Sequence, residues 1–531
     1  VDIFRGLTHA LHDASLRVTR HCARTRAMAL RMRMPGRRAR CSSSPPSFPS
    51  PSIAGARGAR RVAYALAVLL LVTIILCARA SDVRERDGGG WMPSRANLSH
   101  AKSGVKWHSA QMVHAVRRGV LEVFSWSVYR SGADEYGGLT FTATCAEGDG
   151  KGTFPVNRDR FESLAQLCDA MGELEDGFRV YTVGLSPFAQ LRYALLSWAP
   201  TFNRGYDVER QLVRWFANGP FSTRNPKHAT AFFMPVMPYL DRVSGFPGDG
   251  RRNMRYSFNA FVHSQEGTRL WSKTACKRFT TVVHDYGTSI AMDQPEVLRT
   301  TTFISSNAET MGRSDIAVEM GEALDGNGPY SPKKDVSSVC SSSFYLPAKA
   351  IEYDVFGRYP RFRRTTLLSF QGGMSSDVRR RVAELVSNER DPSIDVTFDG
   401  HVEPSSYMRN LASSKFCLHM KGTRVVSPRL IESIWFGCVP VILADYYDLP
   451  LSHLLDWTKF SIIIPESEFH TLLNRTRSAK WAVLYDNLRR VSPMFLYHRR
   501  PVFGDALYST ALVVRDRIEA RSSACDENPF V

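Results

Sequence analysis

The stretch from Ser414 to Phe460 leaves the chain few choices of fold. Lys415 to Met420 (KFCLHM) is a short apolar run, and Lys421-Gly422-Thr423 interrupts it. Ser427 is placed to cap a helix, with Pro428 at its first position, where a missing N–H costs nothing. Leu430, Ile431, Ile434 and Trp435 then fall on one helical face, and Gly437 sits where a left-handed residue closes a helix. Val439 to Ala444 (VPVILA) is dense in β-branched residues and reads as a buried strand. Strand, glycine loop, helix and strand make a βαβ unit, hence a parallel sheet. The unpaired N–H groups that open such a helix, next to Arg429, suit an anion such as phosphate.

The same grammar recurs upstream. Phe178 to Val183 alternates as a first strand, and Tyr206 to Ala217 puts Val208, Leu212, Val213 and Phe216 on one helical face. Ala229 to Met234 is a second strand. Phe279 to Val283 is a third, and it delivers His284-Asp285-Tyr286-Gly287 at its C-terminal end, where α/β sheets collect ligands. A second unit opens at Thr365 to Phe370, which runs into Gln371-Gly372-Gly373 and an amphipathic helix from Ser375 to Ser387, the usual start of a nucleotide-binding half. Strands at 395–398 and 460–464 complete that half, and helices follow.

Charge is unevenly placed. The chain carries +18 overall, but residues 1–61 hold 13 Lys/Arg against Asp2 and Asp13, so +11 lies in the tail. That excludes a general nucleic-acid binder, whose positive charge belongs on the folded part. Residues 62–78 (VAYALAVLLLVTIILCA) are 17 apolar positions, about 25 Å as a helix. With arginines before it, this span reads as a signal anchor with the tail in the cytosol and the rest in a lumen. The start is open among Met28, Met32 and Met34. Asn97-Leu98-Ser99 and Asn474-Arg475-Thr476 are glycosylation sequons. Seven cysteines follow the span, none in a C-x-x-C pair. Cys145 and Cys168 are the first expected disulfide, Cys417 and Cys438 read as buried small hydrophobes, and an odd count leaves one thiol over.

SKFCL, SPRLIE, GCVPVI and LPLSHLLDW, in this order and spacing, resemble the signature of the exostosin family of glycosyltransferases. The tyrosine strand, the Y-x-x-E helix, the A-x-x-F-F-x-P strand and H-D-x-G resemble that family's N-terminal lobe. Leu270 to Thr274 departs from the family's W-N-R-x-G-G-like segment and keeps only Trp271. The resemblance implies an α/β GT-B fold, two Rossmann-like lobes facing a cleft. The domains expected are a cytosolic tail (1–61), an anchor (62–78), a stem (79–175), an acceptor-side lobe (176–363), a nucleotide-sugar lobe (364–475) and C-terminal helices (476–531). A chain ending at Val531 without a second transferase domain is similar to the shorter plant and algal members.

In a second likeness, IESIWFGCVPVI resembles the EAMxxGxPVV segment of other GT-B enzymes. This makes Glu432 the ligand of the donor ribose, placed in a first helical turn. The implied activity is inverting transfer from a UDP-sugar to a glycan or polysaccharide in the Golgi. Such transfer needs a grip on the nucleotide, neutralisation of the diphosphate and a base for the acceptor hydroxyl. No two aspartates stand two apart, so a metal-binding D-x-D motif is missing and no metal or other cofactor is expected. The donor site expected comprises Gly372, Gly373, Lys421, Gly422, Thr423, Ser427, Arg429 and Glu432. His284 and Asp285 are the candidate bases, with Glu209 as alternative. Partners expected are the donor, the glycan acceptor, the membrane and a homo- or hetero-complex with another glycosyltransferase. Two rivals stand beside this reading: an inactive exostosin-like subunit, and a carbohydrate-binding protein on the same fold.

Overall fold

Parallel pairing runs through both sheets of the protein. The computed structural model describes residues 140–148, 153–183, 208–239, 250–310, 330–340, 345–357, 360–398, 402–498 and 500–527. The basic tail, the apolar segment at 62–78 and the Asn97 sequon lie outside these residues. Among the described residues no helix is long and apolar enough to cross a membrane.

The first sheet has six strands in the order β2-β1-β3-β4-β5-β6. These are β1 Val180–Thr182, β2 Ser222–Thr223, β3 Ala231–Met234, β4 Arg278–Val282, β5 Thr301–Ser305 and β6 Val336–Ser337. Helices α1 (Val208–Asn218) and α2 (Gly250–Gln265) connect them. The second sheet has five strands in the order β11-β10-β9-β7-β8. They are β7 Thr366–Gln371, β8 Ile394–Thr397, β9 Ser414–Met420, β10 Val439–Leu443 and β11 Ile462–Ile463. Helices α3 (Asp377–Ser387), α4 (Pro404–Ser413) and α5 (Pro428–Trp435) cross between them. Phe416 pairs with Val439 and Met420 with Leu443, so β9 and β10 end level. Their interiors are buried on both faces, which is why VPVIL is continuously apolar rather than alternating.

Sheet order locates the ligand end. The chain leaves β7 for β8 on one side and returns to β9 on the other, so strand order reverses between β7 and β9. The crevice beyond such a switch point is where open α/β sheets bind ligands. It falls between the Gln371-Gly372-Gly373 turn and the Lys421–Arg424 loop. The first sheet reverses likewise between β1 and β3.

Three features were not legible in the chain. β5 escaped notice because Thr301, Thr302 and Ser305 look like a surface stretch, yet all five residues are buried. Residues 140–175, expected as stem, instead send Phe141, Phe154, Phe161 and Leu167 into the main core, and Val156 bridges to Leu455. The last helix, α6 (Ala506–Glu527), packs back on β5 and β6 of the first sheet. There Arg517 Nε donates to Asp335 O at 3.4 Å.

The cysteines need one correction. Cys145–Cys168 is a disulfide, as expected. Cys417 and Cys438 are buried but also bonded to each other, because parallel pairing brings the second half of the Ser414–Val439 crossover back beside its start. Cys276 is disulfide-bonded as well, and Cys340 is a buried free thiol. The Cys417–Cys438 bridge closes a loop with sequence separation 21. Its replacement by two alanines should lower stability by about 3 kcal/mol, read as a lower urea midpoint with a somewhat steeper slope, because the unfolded chain without the cross-link exposes more surface.

Candidate functional site

Phe370, at the end of β7, is buried and carries two guanidinium groups. Arg429 lies 4.8 Å and Arg379 5.3 Å from its ring centroid. Arg429 Nη2 donates to Gln371 O at 2.8 Å, and Nη1 to Ser427 Oγ at 3.4 Å. Arg379 Nη1 donates to Gly373 O at 2.7 Å and Ser375 Oγ at 2.9 Å, and Nη2 to Met420 O at 3.1 Å. Both Nε atoms are buried without a partner. Among the described residues no carboxylate lies within ion-pair distance of either group. Burial, then the charge of Arg429, pushes Arg379 down to about 10, which leaves Arg379 cationic at neutral pH. The two like charges are held by backbone carbonyls and by the Ser375 and Ser427 hydroxyls, which leaves each guanidinium able to attract an anion.

Glycines let the two loops close on these arginines. A Cβ on Gly372 would stand 2.8 Å from Arg429 Nη2 and 3.0 Å from Phe370. One on Gly422 would stand 3.0 Å from Arg379 Nη2 and from Ser375 Oγ. Gly373 has open space around it. Ser427 caps α5, accepting from Arg429 N at 3.4 Å, with Pro428 at its first position and Gly437 at φ 65° beyond its end. The N-cap of α3 behaves differently. Ser376 gives its hydroxyl to Lys421 O at 2.7 Å and makes no cap bond, so that helix opens beside a pocket of about 260 Å³ that Ser375, Lys421, Gly422, Thr423 and Glu466 help to line.

Two expected donor residues stand differently from expectation. Lys421 Nζ sits 3.7 Å from Glu466 Oε1, so its charge already has a partner. Glu432 is in the second turn of α5, and the first turn holds no acidic residue, so the helix dipole does little for it. What holds Glu432 is Tyr407 on α4, whose hydroxyl donates to Oε2 at 2.6 Å. Burial and Glu432 push the Tyr407 phenol far up, so it stays a donor. Burial and the same carboxylate raise the Cys340 thiol, which places the end of the first sheet within electrostatic reach of Glu432.

The acceptor-side candidates lie across from these loops. His284 is 5% exposed and stacks between Tyr239 and Tyr286, at 5.7 and 4.9 Å between centroids. Tyr286 N donates to His284 Nδ1 at 3.4 Å, so the neutral ring carries its proton on Nε2. Gly287 turns at φ 48°, where a Cβ would meet Asn307 O at 2.9 Å. Asp285 O accepts from Asn307 Nδ2 at 2.6 Å and from Arg424 Nε at 3.3 Å. Arg424 therefore ties the loop after β9 to the turn after β4, bringing Asp285 to the edge of the donor loop. Glu209 is buried at the start of α1, and its Oε1 accepts from Tyr239 N at 3.3 Å.

Sequence reading passed over Arg379, Phe370 and Tyr407. Only the helical phase could have separated Arg379 from its neighbours Arg380 and Arg381. Trp271, the remnant of a family segment, lies over buried Arg278 at 3.8 Å, at the start of β4 and the opposite end from His284. Burial pushes Arg278 down to about 10. Asn474 is exposed on the helix Leu472–Ser478.

Two parallel sheets, each with a strand-order reversal, define an α/β protein of the open-sheet class. The chain belongs to the exostosin GT47 family, since the Exostosin GT47 domain matches residues 174–479. It is 24% identical over 284 residues to the probable beta-1,4-xylosyltransferase IRX10L of Arabidopsis thaliana, covering 50% of this chain and 63% of that protein. It is 26% identical over 276 residues to a probable glucuronosyltransferase of Oryza sativa subsp. japonica, covering 50% and 62%. The chain thus spans about three fifths of the length of these two relatives. The crystal structure of the pneumococcal O-GlcNAc transferase GtfA in complex with UDP and GlcNAc is 11% identical, with 51% of this chain and 60% of that one covered. The TM-score between the two is 0.20.

His419, on β9, supplies a pH dependence. Its Nε2 pairs with Val425 O at 3.0 Å, and burial with Arg429 nearby pushes its pKa down to about 3. A base with a lowered folded pKa binds its proton more readily when unfolded, so stability falls as pH drops from about 6.5 to about 3. The expected slope from this group is about 1.4 kcal/mol per pH unit. His419→Gln should remove that slope in urea melts taken at pH 4 to 7, whatever its effect on absolute stability.

Proposed function

We propose that the protein is an inverting glycosyltransferase of the two-lobed GT-B type that uses a UDP-sugar donor and a glycan or polysaccharide acceptor. The observation that carries this reading is the pair Arg379 and Arg429 at the β7–β9 switch point, two cations with no carboxylate within ion-pair distance among the described residues. A diphosphate leaving group supplies the negative charge such a crevice lacks, and fixed cations stabilise that charge as it develops. Neutralisation by arginine makes a metal unnecessary here. Glu432, oriented by Tyr407, suits a vicinal diol because a carboxylate accepts two hydrogen bonds in a fork, and we assign it to the ribose.

In the proposed step an acceptor hydroxyl attacks the anomeric carbon from the face opposite the diphosphate. The new C–O bond forms as the bond to the β-phosphate oxygen breaks. The electron pair leaves on the diphosphate, towards Arg429 and Arg379, and the hydroxyl proton passes to a base. His284, with Nδ1 engaged and Nε2 protonated, is disposed to donate a hydrogen bond. The carboxylates of Asp285 and Glu209 are the proton acceptors we assign to that side. Residues 62–78 would hold the protein as a single-pass type II Golgi membrane protein, with this body in the lumen, sugar chains on Asn97 and Asn474, and a second glycosyltransferase as a partner.

Thermal melts of the lumenal part against a panel of UDP-sugars test the donor site, because a ligand of the folded state raises Tm. One donor should stand out, and its shift should vanish in Arg429→Ala and shrink in Glu432→Gln. Donor hydrolysis should follow the same order. No shift with any nucleotide in a normally folded chain would favour the inactive subunit or the glycan-binding protein. With donor and acceptor identified, Asp285→Asn or Glu209→Gln should lower kcat by about 10²–10⁴-fold, whichever residue is the base, with KM for the donor little changed.

A further inference from the structure

Tyr446 occupies a left-handed backbone conformation, φ 63°, in the turn after β10. A residue with a Cβ is disfavoured there, and glycine or asparagine is the usual occupant. Strained positions of this kind persist where the surroundings over-determine them, and they cluster at functional sites. The surroundings here do over-determine it. Tyr446 O accepts from Thr310 N at 2.9 Å and Thr310 Oγ1 at 3.0 Å. Tyr447 makes an antiparallel bridge to Glu309, and Asp448 N donates to Ala308 O at 3.0 Å. On the other side Asp445 N donates to Glu466 Oε1 at 3.0 Å, and Glu466 N returns a bond to Asp445 Oδ1 at 3.1 Å.

The ring itself gains little from this arrangement. Tyr446 is 56% exposed, among the few large apolar side chains left in water. Packing therefore does not explain why a tyrosine stands where a smaller residue would fit with less strain. Its place does suggest a use, since the turn follows the C-terminal end of β10 and is pinned to the end of β5. Ligands of both sheets collect at those ends.

We infer that the Tyr446 ring is a stacking platform for the C–H face of a pyranose, with its hydroxyl free to bond the sugar's rim. A tyrosine offers a rigid amphipathic surface with only two torsions to fix, and the pinned backbone fixes its base in advance. This inference rests on the reading of the protein as one that acts on sugars. The pyranose is either the donor's sugar or a unit of the acceptor, and both present the same face.

The test compares the parent with Tyr446→Asn and Tyr446→Phe in three measurements. Tm reports the strain, an array of xylo-, gluco-, galacto- and manno-oligosaccharides reports glycan binding, and melts with UDP, UDP-xylose and UDP-glucuronic acid report the donor. Tyr446→Asn should melt at or above the parent while losing at least 10-fold in binding, and Tyr446→Phe should bind within about 3-fold of the parent. Loss on the array with the UDP-sugar shifts intact assigns the platform to the acceptor. Loss only of the extra shift that a UDP-sugar gives over UDP assigns it to the donor's sugar. Unchanged binding in Tyr446→Asn overturns the inference, as does a Tm several degrees below the parent. It is also overturned if the parent binds no glycan and gains nothing from a sugar on UDP. The response to UDP alone, abolished by Arg429→Ala, judges the donor site separately.

Discussion

Holding two guanidinium groups over one phenylalanine, with no carboxylate in ion-pair distance among the described residues, is the constraint on which this site depends. Phe370 takes the planar faces, and backbone carbonyls of residues 371, 373 and 420 take the N–H groups. Those carbonyls belong to the two loops flanking the switch point, so the arginines fix the loops as much as the loops fix the arginines. A nearby carboxylate would have neutralised the pair and ended its use for anions. The cost is repulsion and desolvation, visible in the lowered pKa of Arg379 and in the neutral state forced on His419. Net stability of so charged an interior comes from elsewhere, chiefly from the continuous apolar core around β7, β9 and β10.

The two sheets share one apolar core, and polar contacts join them as well at the mouth of the site. Arg424 reaches the carbonyl of Asp285, Thr310 grips the carbonyl of Tyr446, and the Tyr330 hydroxyl donates to Asp448 Oδ2 at 2.5 Å. The first two contacts join loops at the C-terminal ends of strands, and Tyr330 lies in the segment that leads into β6. The helix α6 does the opposite work, joining the end of the chain to the first sheet by buried side chains such as Leu512 and Ile518. Such polar joints let neighbouring loops be aligned closely while leaving aromatic and acidic side chains for a ligand.

Most of the second sheet was legible because its signals are local. The run from Val439 to Leu443 is apolar throughout, Ser427-Pro428 marks a helix start, and Gly437 marks its end, each for a steric or hydrogen-bonding reason that needs no partner. The first sheet was legible where apolar residues dominate, as at Phe232 and Phe233. It was not at Thr301–Ser305, whose hydroxyl-bearing residues are buried only because strands and helices cover both faces. The same limit applied at Glu432. Its position in the chain was clear, but its place in the second turn and its bond from Tyr407 depend on where α4 crosses.

By itself the sequence determined the parallel α/β grammar, the glycine loops, the capped helix at Ser427 and the nearby cations Lys421 and Arg429, since all follow from spacing and side-chain chemistry within a few residues. Only the tertiary structure decided which cations matter. It gave Lys421 a carboxylate and denied one to Arg379 and Arg429, joined Cys417 to Cys438, and pinned Tyr446 in a strained turn. The physical reason is that a charge or a thiol is defined by its neighbours, and those neighbours come from distant parts of the chain that meet only when the sheets form.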